Sequence, residues 1–424
     1  MTLKIELLNT GAELMLGRVL NTHQQWICRQ LADRGYVVDR QVAVDDAGPS
    51  ICDALREALG RADLVITTGG LGPTSDDRTR DLVAKELKRP LREDPQVLDH
   101  IQRMFALRRR PMPASTRVQA LVPEGATVLM NARGTAPGLV LETPPRPGQT
   151  RPGLLVMLPG PPRELRPMMI EQALPLIEKH FPVEAPFVCR TLRTTGLGES
   201  ALEEKIAPAL RPVLERGVEV GYCARTGEVD VRFVARGARA RELVAEAEQV
   251  SRALLEEFIY GTDDEVLEQV IVRQLTERRQ TLALAESCTG GFIAHRITNV
   301  PGASAVFLAG LVTYGNAAKE RFLGVKPETL AAHGAVSEAV AGEMAEGARR
   351  VTGADYALAA TGIAGPTGGS EAKPVGTVFL ALASTAGTVV QRRANRFERE
   401  TFKYVTAQQA LDMLRRELVK PPPA

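Results

Sequence analysis

Three stretches carry residue types able to do acyl-transfer chemistry. The run Glu286-Ser287-Cys288-Thr289-Gly290-Gly291 follows the apolar segment Leu282-Ala283-Leu284-Ala285 and opens an amphipathic helix. A hydroxyl at such a strand-to-helix turn stands beside main-chain amides that lack helical partners, so donors are in place before an oxyanion develops. The plainer reading is a Ser or Thr that only caps the helix. Further on, Val312-Thr313-Tyr314-Gly315-Asn316-Ala317-Ala318-Lys319 again leaves a strand for a helix. If Tyr314 and Lys319 fold back onto Ser287, the hydroxyl gains a general base without histidine, provided burial lowers the lysine pKa. Lys319 could equally be an exposed helix residue paired with Glu320. The third stretch is the loop Thr361-Gly362-Ile363-Ala364-Gly365-Pro366-Thr367-Gly368-Gly369, closed by Pro374-Val375-Gly376. Its amides can wrap a phosphate or a ribose. Cys288 adjoins the candidate nucleophile but has no convincing His partner, so Ser287 is preferred.

A second constellation lies in the N-terminal third. Thr67-Thr68-Gly69-Gly70-Leu71-Gly72-Pro73-Thr74-Ser75-Asp76-Asp77 follows a buried strand and precedes a helical stretch from Asp77 to Lys88. Glycines admit a ligand close to the backbone, amides at a helix start suit phosphate, and Asp76 and Asp77 offer hard oxygen ligands for a divalent ion. Against this stands a plain turn with an Asp cap. Three further loops, each just outside an apolar strand, bear on the choice: Gly11-Ala12-Glu13, Asn131-Ala132-Arg133-Gly134, and Leu158-Pro159-Gly160-Pro161-Pro162-Arg163-Glu164.

The elements that must position these groups read as βαβ units. Ile5 to Leu8 and Tyr36 to Val38 are expected strands, Leu20 to Arg34 an expected helix, and Asp63 to Thr68 another strand. Strands separated by helix-length connections imply a largely parallel sheet, with ligands at the carboxyl ends of its strands. Gly138 to Leu141 and Leu154 to Leu158 read as a decorated hairpin around a Pro-rich excursion. A strand, a helix, two strands and a helix fit between Val188 and Tyr260. The expected fold class is α/β, with two three-layer α/β domains joined by a small α+β unit. The boundaries expected are residues 1–172, 173–255 and 256–424. The tail Lys420-Pro421-Pro422-Pro423-Ala424 cannot continue a helix.

Composition narrows the function classes. With 53 Lys and Arg against 51 Asp and Glu among 424 residues, the net charge is +2, which favours neither nucleic acid nor an anionic membrane. Arg108-Arg109-Arg110 then reads as a solvated charge run. No apolar stretch approaches the roughly 20 residues of a membrane span, and Met1 to Gly11 lacks the apolar centre of a signal peptide, so a cytoplasmic protein is expected. Five scattered cysteines without a C-x-x-C pair make a disulfide framework or structural zinc a poor fit. Only 4% aromatic residues leave few surfaces for stacking single-stranded nucleic acid.

Together the N-terminal loops resemble the N-terminal domain of the competence/damage-inducible CinA family, itself similar to molybdopterin-binding proteins. That resemblance implies a nucleotide-type ligand, contacted by Glu13, Gly69, Gly70, Gly72, Thr74, Asn131, Gly134 and Gly160. In some members it implies ADP-ribose pyrophosphatase activity with a divalent metal (Mg or Co), here at Asp76 and Asp77. The sequence departs from the family pattern at Ala12, at His23 where Asn is usual, and at Ala114-Ser115-Thr116-Arg117-Val118, where a Lys and two amides are missing. The three C-terminal stretches resemble the CinA C-terminal domain, the nicotinamide-nucleotide amidohydrolase family. This implies Ser287 as nucleophile with Tyr314 and Lys319 as activating partners. It also implies substrate binding by Thr289, Gly290, Gly291, Thr361, Gly362, Gly365, Gly368, Gly369 and Arg399, and no cofactor. Gly315 replaces a usual Ser and Phe397-Glu398-Arg399-Glu400 replaces a Gly-Asp-Arg turn; Arg399, with Lys403 at the following turn, reads either as a phosphate ligand or, equally, as a solvated arginine in a basic stretch. The middle unit resembles the KH-like connecting domain of longer members, but Gly196-Leu197-Gly198-Glu199 lacks the RNA-clamping GXXG. The expected partners are small nucleotides and a second copy of the chain, with neither membrane nor nucleic acid. The competing reading is an N-terminal nucleotide- or molybdopterin-binding module without turnover, in a competence- or DNA-damage-linked protein.

Overall fold

The computed structural model describes residues 3–183 and 185–420, so residues 421–424 of the Pro-rich tail and the first two residues lie outside it. The chain divides into two compact units, residues 1–188 and 189–424.

In the first unit a six-stranded sheet runs in the order Arg40–Val44, Ile5–Thr10, Leu64–Thr68, Gly153–Leu158, Gly138–Thr143, Thr127–Leu129. The first four strands are parallel and the last two antiparallel to their neighbours, so the sheet is mixed. Side chains alternate between two cores, as a two-residue repeat requires. Ile5, Leu7, Ile66 and Val156 face one cluster, while Leu8, Val65, Leu155 and Met157 face the other. Helices cover both faces, giving three layers. The helix Thr22–Ala32 starts where the Asn21 side chain accepts from the Gln24 amide, two residues later than Leu20. The expected strand Tyr36 to Val38 lies instead at Arg40–Val44, because Tyr36 turns into the core and donates to the Phe181 carbonyl. The unit also runs past residue 172, since Leu174 and Ile177 on the helix Leu174–His180 join the same core as Ile5.

The second unit holds two sheets. The smaller orders its strands Glu219–Arg225, Glu228–Arg236, Phe187–Thr195, Ile259–Thr262, with helices Glu199–Leu214 and Ala240–Leu255. Ile259–Thr262 pairs antiparallel with Phe187–Thr195, which carries this small domain beyond residue 255. The larger sheet runs Phe307–Val312, Leu282–Glu286, Tyr356–Gly362, Thr377–Ser384, Gly387–Ala394. Its first three strands are parallel and its last two antiparallel. The alternation Leu282-Ala283-Leu284-Ala285 sorts its two faces. Leucines meet the helices Leu267–Arg278 and Arg399–Val419, and alanines meet the helix Glu338–Thr352. That alanine face permits a close approach: a Cβ on Gly347 would lie 2.0 Å from the Leu323 carbonyl oxygen.

Candidate functional site

The carboxyl ends of three parallel strands converge in the second unit. Ser287 follows Leu282–Glu286 and donates its N–H to the Ala360 carbonyl at 2.9 Å, while the Thr313 N–H donates to the Glu286 carbonyl at 2.9 Å. These bonds extend the ladder into the site and fix where Ser287 and Thr313 stand. Lys319 begins a π-helical turn, Lys319–Leu323, a distortion often found at functional sites. Its side chain runs back under the turn and is 1% exposed. The Nζ lies 3.1 Å from Ser287 Oγ, 2.8 Å from the Thr313 carbonyl oxygen and 3.1 Å from that of Tyr314. Desolvation holds its pKa below the ordinary lysine value, with the neighbouring Cys288 opposing the shift. A neutral amine can give its two N–H bonds to the two carbonyls and turn its lone pair to the Ser287 hydroxyl.

Ser287 is 9% exposed, at the edge of solvent. Cys288 faces inward, and burial pushes its thiol up to about 12, so at neutral pH it is not a thiolate. Glu286, which the sequence reading passed over, is fully buried, and its carboxylate accepts from the N–H groups of Gly291, Ile293 and Ala294 at 2.8–3.1 Å. The carboxylate therefore caps the helix Phe292–Thr298 and leaves the Ser287 hydroxyl uncommitted. A carboxylate ending an apolar strand six positions before the start of a helix is the signal for this.

Several expected partners stand elsewhere. Tyr314 does not hydrogen-bond Ser287: it is 60% exposed, gives its carbonyl to Lys319, and its hydroxyl accepts from Arg399 Nη2 at 2.7 Å. Arg399 Nη1 donates to the Gly365 carbonyl at 2.8 Å, so this guanidinium ties the Tyr314 loop to the glycine-rich loop. The Gly290 and Gly291 amides are not free, being bonded to the Ser287 carbonyl and the Glu286 carboxylate. Both residues have positive φ, +60° and +91°, which explains the Gly-Gly pair. Thr289 is fully buried, and its Oγ1 has no partner among the described residues. The Thr361 hydroxyl donates to the Ala335 carbonyl at 2.8 Å. Gly362 and Gly369 are required by packing, since a Cβ would lie 2.9 Å from the Thr377 carbonyl oxygen and 2.8 Å from the Val375 nitrogen. Gly365 and Gly368 adopt positive φ in the same loop, which leaves its outer rim exposed. The Lys403 amine lies over the Phe292 ring and near Gly290.

The first unit has a cleft of about 620 Å³ at the carboxyl ends of its parallel strands. Glu13, Gly69, Gly70 and Gly72 line it, as do Thr74, Asp76, Asp77 and Gly160. Gly69 and Gly70 have positive φ, and Gly70 packs on Thr79, where a Cβ would come within 2.0 Å of the hydroxyl. The Asp cap is not formed: Asp77 instead accepts from the Thr74 amide at 3.0 Å and closes the loop on itself. Asn131 and Gly134 are not part of the lining. Asn131 Nδ2 donates to the Glu164 carboxylate at 2.8 Å, and Gly134 packs directly on that carboxylate, which does line the cleft. His23 reaches the Gly160 carbonyl through Nε2, and burial lowers its pKa. Of the segment departing from the family pattern, Arg117 turns outward to Glu93 while the following Gln119 lines the cleft. Among the described residues no group of three or more His, Cys, Asp or Glu side chains is placed to hold a metal. Two carboxylates beside a phosphate-sized loop suit an ion such as Mg, which keeps waters and takes phosphate oxygens as its other ligands.

A glycine-lined cleft on one α/β unit and a buried Ser–Lys pair on another, with a KH-like domain between them in sequence, define a chain of three family domains. Residues 6–179 match the model of a probable molybdopterin binding domain, residues 189–261 the damage-inducible protein CinA KH domain, and residues 264–418 the CinA C-terminal domain. The chain belongs to the CinA family. It is 44% identical to a putative competence-damage inducible protein of Moorella thermoacetica, over 98% of this chain and 99% of that protein. It is 42% identical to a CinA-like protein of Akkermansia muciniphila, over 96% of each. Among solved structures, the competence/damage inducible protein CihA of Agrobacterium tumefaciens is 44% identical, covering 35% of this chain and 91% of that one, with a TM-score of 0.34. No helix among the described residues is long and apolar enough to cross a membrane.

Proposed function

We propose that the C-terminal domain hydrolyses the carboxamide of nicotinamide mononucleotide to nicotinate mononucleotide and ammonia. The observation that carries this reading is the buried Lys319 Nζ at 3.1 Å from Ser287 Oγ. Ser287 attacks the amide carbon as Lys319 takes its proton. The tetrahedral intermediate then expels ammonia with that proton returned, and water discharges the acyl-enzyme by the same route. The oxyanion falls to the N–H groups of Cys288 and Thr289, which have no backbone acceptor among the described residues. Arg399 and Lys403 supply positive charge for the 5′-phosphate, and Tyr314 holds Arg399 in place rather than activating Ser287. Ammonia release from nicotinamide mononucleotide by wild type, Ser287→Ala and Lys319→Ala tests this. Normal turnover in both variants removes the pair from the mechanism.

For the N-terminal cleft the reading is a nucleotide diphosphate such as ADP-ribose, supported by the convergence of glycine loops with Asp76 and Asp77. A divalent ion held there would supply neutralisation of the diphosphate charge. Incubation with ADP-ribose and Mg or Co distinguishes hydrolysis, which yields AMP and ribose 5-phosphate, from binding without turnover.

A further inference from the structure

The wall of the N-terminal cleft combines two kinds of hydrogen-bonding surface. At Gly70, Leu71 and Gly72 the main-chain N–H groups have no acceptor among the described residues, which makes a donor-rich cradle for an anion. Glu164 and Gln119 present the opposite chemistry. Glu164 is 8% exposed, and its carboxylate takes one hydrogen bond from Asn131, with the exposed Arg163 guanidinium only loosely placed at 3.7 Å. Gln119 is 2% exposed; its Nε2 reaches the Leu71 carbonyl at 3.5 Å and its Oε1 has no partner among the described residues. A carboxylate has about four acceptor sites, so Glu164 has capacity to spare. Buried acceptors left in this state are satisfied when a ligand brings N–H or O–H groups.

The carboxylate is also held in place. A Cβ on Gly134 would come within 2.2 Å of Glu164 Oε2, so this glycine and Asn131 together fix its position. It belongs to no metal-binding group among the described residues. A buried negative charge on this wall repels phosphate and so orients an asymmetric ligand. Resting on the reading of the cleft as a nucleotide site, we propose that Glu164 and Gln119 bind the paired hydrogen-bond donors of a phosphorylated ligand whose phosphate sits at Gly70–Gly72. In a nucleotide those donors are the ribose diol or an amine on the base.

Titration calorimetry on the full chain tests this with AMP, 2′,3′-dideoxy-AMP, inosine monophosphate and inorganic pyrophosphate. Glu164→Gln and Gly134→Ala should each weaken AMP about tenfold without weakening pyrophosphate, since a charge-assisted pair of bonds is replaced or displaced and no bond to the phosphate is lost. In wild type, the loss should be reproduced by dideoxy-AMP if the diol is the donor, or by inosine monophosphate if the amine is. Unchanged AMP affinity in both variants, an equal loss for pyrophosphate, or wild-type affinity for both analogues equal to that for AMP overturns the proposal. Failure of wild type to bind either AMP or pyrophosphate instead sinks the nucleotide reading beneath it.

Discussion

A lysine that is 1% exposed and touches two carbonyls and a hydroxyl is poised by its surroundings to be neutral. Its lowered pKa gives two expectations of known sign. Activity should rise with pH as Lys319 loses its proton, so kcat/KM should show an acid limb below the ordinary lysine value of about 10.4. Lys319→Ala should fall by about a thousandfold and lose that limb; a pH–rate profile checks both. For stability, the unfolded lysine holds its proton over a range where the folded one has released it. Stability therefore increases as pH climbs from the folded pKa toward about 10.4, and Lys319→Met should flatten that rise in denaturant titrations. Cys288→Ala should keep most of the proposed deamidase activity, because a thiol pushed up to about 12 is protonated at neutral pH. Loss of turnover comparable to that in Ser287→Ala would move the nucleophile to the cysteine.

At the scale of elements, the π-helical turn Lys319–Leu323 is seated against the helix Glu338–Thr352, where Leu323 joins the cluster of Val340, Met344 and the helix alanines and Gly347 permits the close approach. Gly347 approaches the Leu323 carbonyl so closely that Gly347→Ala must push the turn away, and Arg350 Nη2 also donates to that carbonyl at 2.7 Å. The variant is expected to lose about 2 kcal/mol of stability by overpacking and to lose activity through the displaced lysine. Thermal unfolding and ammonia release measured on one preparation check the pair. Elements with strong periodicity were legible from residue order: the Leu–Ala alternation of Leu282–Glu286 announced a strand with one large and one small face. The strand placed at Tyr36 to Val38 was misjudged because three apolar residues cannot show which of them enters a core. Tyr36 does so, bonded to Phe181 far along the chain.

At the scale of the second unit, the KH-like domain and the C-terminal domain share a buried polar network. Arg193 Nε donates to the Tyr260 hydroxyl at 3.0 Å, and Tyr260 donates to Glu228 Oε1 at 2.7 Å. Gln408, on the helix Arg399–Val419, donates to the same oxygen at 2.9 Å. Burial, with Glu228 beside it, raises the Tyr260 pKa, so the phenol stays a donor. The helix that brings Arg399 to Tyr314 and the Gly365 loop is thus fastened to the small domain, with Arg415 also donating to the Ile259 carbonyl at 3.1 Å. Glu228→Ala leaves Arg193 with Asp230 as its carboxylate partner and takes the acceptor from the buried Tyr260 hydroxyl and Gln408 amide, so it should cost about 3 kcal/mol. Hydrogen exchange should show increased opening across residues 189–424 while residues 1–188 keep their protection. Opening confined to the small domain would contradict this shared unit.

The sequence alone determined the α/β class, the three family domains, and the turns that carry Ser287, Lys319 and the Gly69–Gly72 loop, because strand alternation and glycine punctuation are local properties. Only the tertiary structure decided which neighbours those turns meet. Lys319 reaches Ser287 across 32 positions, Tyr314 turns instead to Arg399, and Asn131 and Gly134 act on the cleft through Glu164. Side-chain direction at a strand end depends on packing from distant segments, and residue order does not encode it locally.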